Sequence, residues 1–77
     1  MKKMSNILKI QKSLTKQKLF IKEVINKRES IYSKRSEKWQ LSDNGGIYES
    51  DTLDLEIILD NIELSIELLE EITHIRV

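Results

Sequence analysis

Along residues 5–40 apolar positions recur every three or four residues, and at about 100° per residue Ile7, Ile10, Leu14, Ile21, Ile25, Tyr32 and Trp39 fall on one narrow face. Phe20, Val24 and Ile31 widen that face on one side, and lysines fill most of the remainder. This is the pattern of an amphipathic helix with a solvated back. At about 1.5 Å per residue, one uninterrupted helix over 5–40 spans about 54 Å. The next stretch, 41–50, contains Ser42-Asp43-Asn44-Gly45-Gly46, residues that favour turns and positive φ, so it predicts the end of helix 1 and a reversal of the chain. Ser50 or Asp51 then caps a second helix over about 51–75, with Asp51 and Asp54 where the helix dipole favours negative charge.

Helix 2 has two apolar faces. Leu55, Leu59, Ile62, Ile66 and Leu69 form one, and Leu53, Ile57, Leu64, Leu68 and Ile75 form another nearly opposite, with Ile58 and Ile72 joining them along one side. Glu56, Asp60, Glu63, Glu67, Glu70 and Glu71 fill the remaining arc. A single partner helix covers one face, so the pattern predicts an all-α antiparallel helical hairpin, one domain over 1–77, that oligomerises through the second face into a helical bundle. The alternative is a helix 1 that bends or splits to cover both faces. Chain length favours association, because a domain of 77 residues buries too little surface to be robust alone and the sequence holds no cysteine to staple it.

Charge sharpens the picture of the hairpin. Residues 1–38 carry 12 Lys/Arg against 3 Asp/Glu, and residues 39–77 carry 1 against 10, so a net charge of zero is +9 followed by −9. An antiparallel pair sets the basic flanks of helix 1 beside the acidic stripe of helix 2. Exposed pairs of this kind add about 0–1 kcal/mol each, so they choose orientation more than they hold the fold. No apolar run approaches transmembrane length and no continuous apolar stretch follows the basic N-terminus, which predicts a soluble, cytoplasmic protein.

Candidate chemistry gathers at the end of helix 1. Arg28, Tyr32, Arg35 and Trp39 stand at i, i+4, i+7 and i+11 and continue the apolar stripe; Ser36, Gln40 and Tyr48 complete the candidate binding set. Two guanidiniums interleaved with aromatics suit an anion bearing a planar group. The structural alternative has both arginines paired with acids of helix 2 and Trp39 closing the corner with Tyr48. Glu71 and His74 have the Glu-x-x-His spacing of di-metal bundles, but they lie on the acidic arc and His74 is the sole histidine, so no metal site and no cofactor are expected. The carboxylates form a repeating stripe without apolar enclosure, which gives no catalytic acid–base pair and predicts a protein that is not an enzyme. Lys2, Lys3, Lys9, Lys12, Lys16 and Lys18 form a basic rod that could follow phosphates, although the overall neutrality argues against nucleic acid.

The centre Arg35-Ser36-Glu37-Lys38-Trp39-Gln40, with Ser42, Gly45 and Tyr48 and then a helix rich in Leu, Asp and Glu, resembles a group of short all-helical proteins of phages and bacteria. The resemblance covers about half the chain and brings no functional residue with it. It implies a setting in which a small accessory protein acts stoichiometrically, as in counter-defence. The expected function is therefore binding by a homo-oligomer, with an anionic nucleotide signal sequestered or a host protein blocked. A self-assembling scaffold subunit and a nucleic-acid-binding regulator using the basic helix are the alternatives.

Overall fold

The computed structural model describes the chain from Lys2 to Ile75, with side-chain environments described for residues 6–74. It is all-helical: α1 (Lys2–Lys34), the single turn α2 (Glu37–Gln40) and α3 (Asp43–Ile75), with no strand among the described residues. The molecule measures 57 × 14 × 14 Å. Neither glycine nor proline occurs in α1, and it runs unbroken. The span 5–40 read as one helix is interrupted once, at Arg35-Ser36, where α1 gives way to α2. α1 and α3 pack together, with Arg28 meeting Tyr48 and Thr52 near the corner and Lys18 meeting Glu63 farther along.

The helix boundaries fall earlier than the hydrophobic pattern predicts. α1 ends at Lys34 rather than Gln40, and α3 starts at Asp43 rather than near residue 51. Two hydroxyls set these boundaries. Ser36, in extended conformation at φ −62° and ψ 152°, accepts a hydrogen bond from the Trp39 amide and caps α2. Ser42 accepts from the Gly45 amide at 3.2 Å, and its hydroxyl donates to the Trp39 carbonyl, which ties the start of α3 to α2. Ser42 is thus the N-cap that Ser50 or Asp51 was expected to be.

Gly45 and Gly46 lie in the first turns of α3, and neither has positive φ. Gly45 is required for space. A Cβ there would overlap the Trp39 carbonyl oxygen and fall 2.6 Å from the Gln40 carbonyl oxygen, so only glycine lets α3 begin hard against the backbone of α2. Gly46 has open space around it.

The face of α3 turned to α1 is the one carrying Leu55, Leu59, Ile62, Ile66 and Leu69, all buried or half-buried. Burial is sparse: Ile25 at 6% exposure and Ile66 at 8% are the only buried apolar side chains among the described residues, and neither is completely enclosed. Phe20 and Ile31, expected to widen the packed face of α1, point away from α3, Phe20 with 64% of its surface exposed. Ile10 is also half exposed. Leu53, Ile57, Leu64 and Leu68 lie along the back of α3, each more than half exposed; the side chain of Ile75 is outside the described residues.

Candidate functional site

The structure brings the predicted corner residues together, but it uses them differently from one another. Arg28 is half-buried, and its Nε donates to Thr52 Oγ1 at 2.9 Å while Nη2 donates to the Tyr48 carbonyl at 3.0 Å. Its guanidinium also lies 3.9 Å from the centre of the Tyr48 ring. Thr52, buried at 7% exposure, donates its hydroxyl to the same Tyr48 carbonyl at 3.1 Å, so it is satisfied as donor and acceptor at once. Arg28 thereby fastens α1 to α3 about two turns beyond the corner.

Trp39 sits between the two tyrosines, edge-on to both, at 6.0 Å from Tyr32 and 5.6 Å from Tyr48. Such edge-to-face pairs add roughly 0.5–1.5 kcal/mol beyond burial. The Arg35 guanidinium lies over the indole ring, 4.1 Å from its centre, and the residue is solvent-exposed. Gln40 points back and donates its Nε2 to the carbonyls of Tyr32 at 2.8 Å and Arg35 at 3.2 Å, the first of which also accepts from the Arg35 amide at 3.1 Å. The pairing of both arginines with acids of the second helix is absent: the one ion pair among the described residues is Lys18 with Glu63 at 4.0 Å. Arg28 takes a hydroxyl, a carbonyl and a ring instead, and Arg35 takes a ring.

The Glu49 carboxylate, as hydrogen-bond partner of the Tyr32 hydroxyl, holds that phenol above its ordinary pKa of 10.0, and desolvation and the carboxylate charge push the same way. A pKa raised in the folded state means that the stabilising contact is fully present below the ordinary phenol range and is lost as pH rises through the raised value. In a Tyr48→Phe background, which leaves a single phenol, tyrosinate absorbance will appear with a midpoint above 10.0. Glu49→Gln will return the midpoint towards that value. An unmoved midpoint would remove Glu49 as the cause.

Thr52, Ser42 and Glu49 are the working residues that the sequence pattern leaves out. Ser42 followed by Asp43 is itself an N-cap signal, masked by the two glycines beyond it. Thr52 gives no local sign, because its partner Arg28 is 24 residues away. Glu67, Glu70, Glu71 and His74 share one surface depression, and no group of three or more His, Cys, Asp or Glu side chains among the described residues is arranged to hold a metal ion. No described helix is long and apolar enough to cross a membrane.

These features define a slender all-helical protein with a cation–aromatic corner and a long exposed apolar strip. No protein-family model, curated protein or solved structure matches the chain.

Proposed function

We propose that this protein is a non-enzymatic, self-associating helical hairpin that acts stoichiometrically, by binding. The observation that carries the reading is its surface. A well-packed monomer of 9.1 kDa exposes about 4,900 Å², whereas this chain exposes 6292 Å². The excess of about 1,400 Å² exceeds the roughly 800 Å² per partner that a standard interface buries. Leu53, Ile57, Leu64 and Leu68 lie within it, as expected of an interface strip.

What the assembly binds is suggested by Arg35. An exposed guanidinium stacked on Trp39, with no carboxylate partner among the described residues, suits an anion carrying a planar base, as in a nucleotide signal. In the phage or mobile-element setting that the resemblance implies, sequestering such a signal is a counter-defence function. Capping a host protein with the apolar strip is the same class of action with a different partner.

Light scattering at micromolar concentration will find a dimer or larger species, and Ile57→Lys with Leu64→Lys will convert it to a monomer. A wild-type monomer would sink the reading. An anionic nucleotide at a hundredfold excess over its Kd will raise the melting temperature by about 10 °C or more, and Arg35→Ala will abolish that rise while leaving the ligand-free melt nearly unchanged. If no nucleotide shifts the melt, the corner is structural and the scaffold alternative takes its place. Binding to nucleic acid through the exposed Lys9, Lys12 and Lys16 would instead weaken steeply with added salt.

A further inference from the structure

The strip on the back of α3 is only part of the apolar surface. Phe20, Val24 and Ile31 form a second strip along α1, turned away from its Ile25 face, with Phe20 and Ile31 exposed. Their spacing of four and seven residues keeps them on one side of the helix. The exposed Ile58 lies on the corresponding side of α3, beside Ile57 on the back strip. Each chain therefore offers an apolar surface on both of its long helices.

The charges choose how two such surfaces meet. Pairing α3 with a second α3 would set acidic stripes side by side, in a half of the chain with 10 acidic residues and one basic. Pairing α1 with a second α1 would do the same with lysines. Within the chain the charge sorting is hardly used, since the described residues form one ion pair, at 4.0 Å. Most of the other lysines and carboxylates among the described residues are exposed, so they can face a neighbour.

We infer that the partner is a second copy of this chain, seated so that the Phe20–Val24–Ile31 strip of each α1 lies on the Ile57–Ile58–Leu64 region of the partner's α3. This rests on the self-association proposed above. Two hairpins stacked face to face by a two-fold rotation have two arrangements. A rotation axis across the helices stacks α1 on α1 and α3 on α3, like charge on like. An axis along the helices stacks each α1 on the partner's α3, opposite charge on opposite. Only the second satisfies the charge pattern, and it brings the two corners to the same end of a four-helix bundle. The two Arg35–Trp39 stacks are then neighbours, so one ligand could touch both.

The chain has no cysteine, so a single introduced thiol reports without interference. Leu41, 81% exposed at the corner, is replaced by Cys and spin-labelled for pulsed dipolar distance measurement on the intact protein; Lys38→Cys, also exposed at the corner, is a second site. Corners at one end predict a label separation below about half of the 57 Å length of the molecule, with association weakening as salt screens the pairing. A dimer whose labels stand a full molecular length apart overturns this arrangement and leaves self-association intact. A monomer by light scattering overturns both.

Discussion

Gly45→Ala will destabilise the protein by about 1–3 kcal/mol, and Gly46→Ala, one residue on, will stabilise it by about 0.4–1 kcal/mol. The two glycines share a helix and a sign of φ, so backbone freedom does not separate them. Their surroundings do. An added methyl at Gly45 meets the carbonyl oxygens of Trp39 and Gln40, which are backbone atoms that cannot rotate aside. Relief requires α3 to back away from α2, which strains the Ser42 cap and the edge contact between Trp39 and Tyr48. At Gly46 the methyl enters open space, and the helix gains because the unfolded chain has fewer conformations to lose. Urea unfolding of both variants at one protein concentration checks the pair. Equal effects of the same sign would show that the close approach at Gly45 does not govern the corner.

Arg28→Met will cost about 2–3 kcal/mol, from two hydrogen bonds worth about 1 kcal/mol each and a cation–π contact worth about 0.5–1 kcal/mol. At roughly 4–8 °C per kcal/mol for a chain of this size, the melting temperature should fall by about 10–20 °C. Arg28→Lys will recover little of this. A lysine has the charge, but its compact ammonium cannot bond Thr52 and the Tyr48 carbonyl with fixed geometry while also standing over the Tyr48 ring. Arg35→Met should lose far less, because Arg35 is exposed and contributes one stacking contact. Thermal melts of the three variants separate a guanidinium that fastens two helices from one left open to solvent. Equal losses at the two positions would contradict the division.

The two long helices, and the face of α3 that meets α1, are legible in the sequence because burial imposes a period of about 3.6 residues. Ile25 and Ile66 lie where that period puts them. The corner is harder to read. Gly45-Gly46 looks like a helix terminator, since glycine most often serves to supply positive φ, yet here the first glycine answers to a neighbouring backbone 2.6 Å from its missing Cβ. A close approach between segments is a three-dimensional fact with no local signature. The same holds for Thr52, whose side chain matters only because α1 delivers Arg28 to it. Arg28, Tyr32, Arg35 and Trp39 do come together as their spacing suggests. What the spacing could not say is that Arg28 is spent inside the fold and Arg35 is not.

The corner is closed by residues from Arg28 to Thr52, while beyond it the long helices are joined, among the described residues, by repeating apolar contacts and one ion pair. Length is therefore an independent variable in this architecture. Whole turns can be added to or removed from both arms together without disturbing the turn that joins them, much as a hinge is indifferent to the size of the leaves it carries.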